Sequence, residues 1–302
     1  MRIVLHGQQA FGQTVLEKLL ERNENVVAVC CAPTKEGKPE DVLASYAREK
    51  GLPVHQPESW KTPEALALME SLEADVCMMA YVLLFVPEAV LNAPKYGTFQ
   101  YHPSLCPLHR GPSSINWPIA KGKDRTGLSI FWPNSGLDEG PIMLQKTCAI
   151  GPDETLGDIY FKKLFPMGVD AMLEGLDLVK SGVIIKHDQR LTDGTYEGWF
   201  GKTEAAINWS LPAENVYNII RASNPAPGAW TMIEGKILQI YDCARVVGTG
   251  RAGDVVEINN EGIIVQAKGG RILIKRVKSE GGKVLATDWA ATAGVTVGTK
   301  LG

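Results

Sequence analysis

The sequence has no apolar run long enough to cross a bilayer, and its first residues, Met1-Arg2-Ile3-Val4-Leu5-His6-Gly7, reach a polar side chain and a glycine after a few apolar ones. Neither a membrane partner nor a secretion signal is expected. Cysteine is sparse: Cys30, Cys31, Cys77, Cys106, Cys148 and Cys243 form no C-x-x-C pair and sit mostly among apolar neighbours, as buried reduced thiols do. A reducing cytoplasm is the expected location. Positive charge is not in excess, since 31 Lys and Arg stand against 34 Asp and Glu, so the molecule as a whole does not have the balance of a nucleic-acid binder. Residues 206–302 hold 11 basic side chains against 8 acidic ones, leaving 20 against 26 before them, and so small a basic excess reads as solvated surface.

Apolar residues make up 45% and charged residues 22%, the balance of an ordinary globular protein, and 302 residues exceed the usual size of one core. Two domains are expected. Strands are predicted at residues 2–5, 26–31, 75–80, 98–101 and 128–132. Helices are predicted at 11–20, at 42–49 and from Thr62-Pro63-Glu64, where a cap residue precedes proline. This alternation implies a mostly parallel sheet with helices on both faces, and in such sheets ligands bind beyond the carboxyl ends of the strands. A helical stretch over 156–180 closes a first domain at 1–182, and a polar, glycine-bearing linker at 183–205 follows. After a helix at 213–221, short β-like runs at 237–241, 253–258, 262–267 and 271–277 are separated by glycines, which predicts a small barrel within a second domain at 206–302.

Gly7-Gln8-Gln9-Ala10-Phe11-Gly12 lies between a strand and a helix but lacks the middle glycine of G-x-G-x-x-G, and no acidic residue for a ribose stands in 26–33. It reads as a tight turn, and no nicotinamide is expected. Two other segments leave strand ends. Gln100-Tyr101-His102-Pro103-Ser104-Leu105-Cys106-Pro107-Leu108-His109-Arg110-Gly111 carries a histidine able to donate to an oxyanion or to move protons near neutral pH. Alone, such a histidine is most often structural. Pro133-Asn134-Ser135-Gly136-Leu137-Asp138-Glu139-Gly140 then brings an acid to the same edge of the sheet.

Together the two segments resemble the H-x-S-L-x-P and L-D-x-G signatures of the 10-formyltetrahydrofolate-dependent formyltransferase family. The likeness extends nearly end to end, through Ile115-Asn116-Trp117, Tyr196-Glu197-Gly198, Ile207-Asn208-Trp209 and Pro227-Gly228-Ala229-Trp230-Thr231, and is strongest to the family's folate hydrolase domains. It implies a Rossmann-like formyl-transfer domain, an OB-like C-terminal barrel, 10-formyltetrahydrofolate as donor and no metal. It also implies that Asp138 activates the nucleophile, that His102 and Gln100 stabilise the oxyanion, and that Leu84, Phe85, Val86, Pro133, Asn134 and Gly136 border the pterin. Arg110 is read as a substrate contact. Gln100 stands where most relatives carry asparagine, and Cys106 where leucine is usual; the latter is read as an apolar substitute. Transfer to a small amine is the favoured reaction, with hydrolysis or a non-catalytic folate-binding module as alternatives; tRNA is not the expected acceptor.

Overall fold

The structure, a computed structural model, describes residues 1–279 and 281–302. The chain runs β1 (Arg2–Gly7), α1 (Gln9–Glu21), β2 (Asn25–Cys30), α2 (Val42–Glu49), β3 (Val54–His55), α3 (Pro63–Ser71), β4 (Val76–Ala80), α4 (Glu88–Leu91), β5 (Thr98–His102), α5 (Asn116–Ala120), β6 (Arg125–Phe131) and β7 (Ile142–Ala149). It continues through α6 (Leu156–Ile159), a π-helical turn (Tyr160–Leu164), α7 (Phe165–Lys180), α8 (Ala213–Ala222), β8 (Ala229–Ile233), β9 (Lys236–Ile240), β10 (Cys243–Val246), β11 (Val255–Asn259), β12 (Gly262–Ala267), β13 (Gly270–Ile274), β14 (Arg276–Lys278), β15 (Lys283–Leu285) and α9 (Ala286–Ala293). Two compact units result, and each is assembled from three stretches of chain.

The first unit comprises Met1–Gly111, Gly127–Thr147 and Lys163–Tyr196. Its seven-stranded sheet has the order β3-β2-β1-β4-β5-β6-β7. The pairs β1–β2, β1–β4, β2–β3 and β4–β5 are parallel, and β5–β6 is antiparallel. The mostly parallel sheet implied by the strand–helix alternation is present. Its centre is apolar on both sides because strand side chains alternate. Ile3, Leu5, Phe99, Tyr101, Leu128 and Ile130 join α1 and α7 in one core cluster, while Val4, Ala28, Cys77 and Met79 join Trp60 and Val90 in another.

Local chemistry sets the helix boundaries. Thr62 accepts from the Ala65 N–H at 3.3 Å, with Pro63 at the first helical position, and Asp41 accepts from the Leu43 N–H at 2.9 Å. The helical path expected over 156–180 is not a single α-helix. It passes through the π turn immediately before Phe165-Pro166, where proline has no N–H to give and its ring crowds the preceding turn.

The second unit comprises Pro112–Thr126, Cys148–Lys162 and Glu197–Gly302, so the stretch expected as a linker is divided after Tyr196. Two four-stranded sheets, β10-β13-β12-β11 and β15-β14-β9-β8, share a core of Ile263, Val265, Ile272 and Ile274 from the first and Leu238, Ile240 and Val277 from the second. Every pairing described within them is antiparallel. The run expected at 271–277 is two strands in different sheets, divided at Lys275. Strands β3, β7, β8, β10 and β15 and helices α4, α5 and α9 were not among the expected elements. Among the described residues no helix is long and apolar enough to cross a membrane.

Candidate active site

Phe99 and Tyr101 are committed to the core under α1 and α7, so Gln100 and His102, at alternate positions of β5, face the other side of the sheet. His102 is the last residue of β5 and is buried. Beyond it the chain is held by a serine set in an otherwise apolar strand. The Ser129 hydroxyl, on β6, donates to the Ser104 carbonyl at 2.7 Å and accepts from the Cys106 N–H at 3.1 Å and from Gln145 Nε2 at 2.8 Å. Gln145, on β7, also donates to the Cys106 carbonyl at 2.8 Å.

The loop after β6 brings the acid to the histidine. Asp138 Oδ2 lies 3.7 Å from His102 Nδ1, and both side chains are 9% exposed, so charge on either is felt through little water. That distance is longer than a hydrogen bond. The same oxygen accepts from the Gly111 N–H at 2.9 Å. On the other side of the ring, Nε2 lies 3.2 Å from the His109 carbonyl, which can only accept, so Nε2 carries a proton and Nδ1 is the nitrogen turned toward the acid. Asp138 adopts φ +55°, a left-handed conformation that is costly for a residue with a Cβ. Its loop folds tightly. Asn134 Oδ1 accepts from the Gly136 N–H at 3.0 Å, a Cβ on Gly136 would strike the Glu139 carboxylate, and one on Gly140 would strike the Trp132 carbonyl.

The residues expected around a pterin fall in two adjoining segments. Glu88 Oε1 accepts from the Ser135 N–H at 2.9 Å, which ties the loop containing Pro133, Asn134 and Gly136 to the start of α4, directly after Leu84-Phe85-Val86. Val86 is buried in the second core cluster and Leu84 packs against it, whereas Phe85 is 53% exposed, as are Leu83 and Leu137 at similar values. Phe85 is therefore not core. Arg110 pairs with Glu139 while its Nε stays buried without a partner. Cys106 is buried with Phe131 and Ile142, and burial pushes its thiol up to about 11, so it behaves as an apolar side chain.

The turn after β1 contrasts with this edge. There the Gln9 N–H donates to both oxygens of Asp41, at 2.8 and 2.9 Å, so the N-terminus of α1 already holds a carboxylate. Among the described residues no cluster of three or more His, Cys, Asp and Glu side chains is placed to hold a metal ion.

Sequence reasoning missed Ser129, Gln145, Glu88 and Glu139, and it missed two residues of the expected linker. Gln189 Nε2 donates to the carbonyls of Asp138 at 2.9 Å and Gly140 at 2.7 Å, and Thr195 Oγ1 accepts from the His109 N–H at 2.9 Å. Only Ser129 left a signal, as a polar residue amid Leu128, Ile130 and Phe131.

Residues 1–173 match the profile of the formyl transferase family, and residues 200–294 match that of the formyl transferase C-terminal domain. The chain is 35% identical over 301 residues to the cytosolic 10-formyltetrahydrofolate dehydrogenase of Mus musculus, covering 94% of itself and 33% of that protein. Against the methionyl-tRNA formyltransferase of Geotalea daltonii identity is 33% over 308 residues, covering 100% of this chain and 98% of the relative. Two solved structures share the fold. HypX of Aquifex aeolicus, in complex with tetrahydrofolic acid, superposes with a TM-score of 0.69 at 18% identity, over 98% of this chain and 48% of its own. An N-formyltransferase of Helicobacter canadensis, in complex with folinic acid and dTDP-3-aminofucose, superposes with a TM-score of 0.68 at 16% identity, over 93% and 99%.

Proposed function

Because this chain belongs to the formyl transferase family, we propose that it transfers the formyl group of 10-formyltetrahydrofolate to the nitrogen of a small amine, in a reducing cytoplasm. The observation that carries this reading is the buried pair at a strand end, His102 Nδ1 and Asp138 Oδ2, 3.7 Å apart and too far to satisfy each other. A reacting group can bridge the two atoms from one side. The amine attacks the formyl carbon and Asp138 takes its proton. The carbonyl electrons move to oxygen, where the Gln100 amide donates and where His102 donates from Nδ1 as an imidazolium that keeps its Nε2 proton on the His109 carbonyl, each donor worth about 3 kcal/mol. Collapse breaks the bond from carbon to the folate nitrogen, and the proton on Asp138 passes to that nitrogen as it leaves.

The pterin would be bordered by Leu84, Phe85 and Val86 and by the loop of Pro133, Asn134 and Gly136, where exposed Phe85 and its exposed neighbours Leu83 and Leu137 offer apolar surface to an aromatic ring. Arg110, its charge met by Glu139, would steer a substrate polar group from its remaining donors. The two sheets of the second unit, through which the chain crosses from β13 to β14, fit an OB-like barrel.

Hydrolysis, with water in place of the amine, is the second reading. The 35% identity to a third of a 10-formyltetrahydrofolate dehydrogenase favours it. Absorbance-monitored release of tetrahydrofolate, with and without a panel of amines, separates the two. Amine-dependent release lost in Asp138→Ala supports transfer, and equal release in water alone supports hydrolysis. Tight folate binding with no release would overturn both. Steeply salt-dependent tRNA binding would replace the small amine with tRNA.

A further inference from the structure

The segment 187–196 has the composition of a connection, polar and without periodicity, yet it is bonded to both loops of the site. At its start His187 forms a two-way backbone pair with Ile142, at 2.8 and 2.9 Å, adding to the edge strand β7. Two residues on, Gln189 donates to the carbonyls of Asp138 and Gly140 with one amide, so a single side chain fixes both ends of the turn that holds Asp138 at φ +55°. Its Oε1 is buried and has no partner, a cost accepted only where the donor end is well used.

At the far end the same segment reaches the histidine loop. The Thr195 N–H donates to the Pro107 carbonyl at 3.0 Å, Thr195 Oγ1 accepts from the His109 N–H at 2.9 Å, and the Arg110 N–H donates to the Thr195 carbonyl at 3.0 Å. The approach is close enough to require glycine next door: a Cβ on Gly194 would come 2.5 Å from the Pro107 carbonyl oxygen. The His109 residue held in this way supplies the carbonyl that takes His102 Nε2, and Gly111, two residues further, supplies the N–H that holds Asp138 Oδ2. The strap thus holds the two groups that orient the imidazole and the carboxylate, without touching either side chain.

We propose that 187–196 is a positioning strap for formyl transfer, with Gln189 and Thr195 as positioning residues that set the separation of His102 Nδ1 and Asp138 Oδ2. This rests on the function proposed above, in which the two atoms act together on the same reacting groups. A displacement of about 1 Å in such a geometry costs up to about a hundredfold in rate.

The test uses the full chain with Gln189→Ala, with Thr195→Val, which keeps the side chain's shape but removes the acceptor, and with Thr195→Ser, which restores it. Turnover with 10-formyltetrahydrofolate and amide hydrogen exchange are measured on each. The expected result is a kcat lowered at least about tenfold in the first two variants with KM for the folate little changed. Exchange of the Gly111 amide should be selectively faster in both, that of His109 faster in Thr195→Val, the amides of Met78 and Phe99 should keep their protection, and Thr195→Ser should resemble the parent. Unchanged Gly111 exchange overturns the strap, and so does a loss of protection shared by all amides, which would mean a contribution to stability alone. A parent that turns over no folate overturns the function reading, while the exchange data still decide whether the strap seats Asp138.

Discussion

Two strands of the same parallel sheet end in a histidine-bearing segment and a turn, yet only one end has the makings of a catalytic site. After β1, His6 is buried against Trp60, Asp41 fills the N-terminus of α1, and Gly7 packs so close to β4 that a Cβ would lie 2.5 Å from the Ala80 carbonyl oxygen. After β5, His102 and Asp138 face each other across 3.7 Å. On the function proposed above, a strand end in such a sheet serves chemistry where the fold leaves a buried imidazole and carboxylate facing each other unpaired; where the histidine packs on an aromatic ring and the helix N-terminus already holds a carboxylate, the same position is architecture.

The largest effect that would break this comparison is on turnover. His102→Ala and Asp138→Asn should each lower kcat by about a thousandfold, while Asp41→Ala, at the other strand end, should leave it unchanged; equal losses would end the distinction. Gln100→Ala should cost about a hundredfold through loss of one oxyanion donor, measured as kcat/KM, and Gln100→Asn should recover part of it.

The next effect sharpens the contrast between the two histidines through pH. Burial lowers the pKa of His6 to about 3, below the value of about 6.5 it has in an unfolded chain, so between these values the unfolded state binds a proton that the folded state refuses. Stability should therefore fall as pH drops from about 6.5 toward 3, by about 1.4 kcal/mol per pH unit from this group, and urea denaturation of His6→Leu should show a shallower slope. Asp41→Ala should cost about 1 kcal/mol of stability through lost capping of α2 and α1. Smallest of all, Cys106→Ala should leave turnover intact, because a thiol pushed up to about 11 and packed on Phe131 and Ile142 is no nucleophile; loss of activity would reopen that role.

The legibility of the sequence follows the same division. The strands β1, β2 and β4 could be read because their centres are buried on both faces and so appear as unbroken apolar runs, and β5 and β6 because apolar residues flank a single polar one, Gln100 and Ser129. Strand β7 was missed because, after its first two residues, it alternates half-buried and exposed positions in a mostly polar run of Leu, Gln, Lys, Thr, Cys and Ala. Strands β14 and β15 have three residues each, too short for any period to show. In the site, His102 and Asp138 stood out because each follows a readable strand and matches a signature. Gln189 and Thr195 act through backbone groups 51 and 86 residues away in sequence, and nothing in the spacing of a polar segment announces such a return.

Asp138 also carries a consequence for anyone altering this protein. It holds its carboxylate in place at φ +55°, where a glycine would sit without strain. A library screened on heat resistance alone is blind to the role proposed for this residue: Asp138→Gly trades relief of the left-handed backbone against loss of the bond to the Gly111 N–H, and neither effect reports turnover. Any campaign to harden the protein therefore has to select on turnover at every round, because stability alone does not register the chemistry proposed for this position.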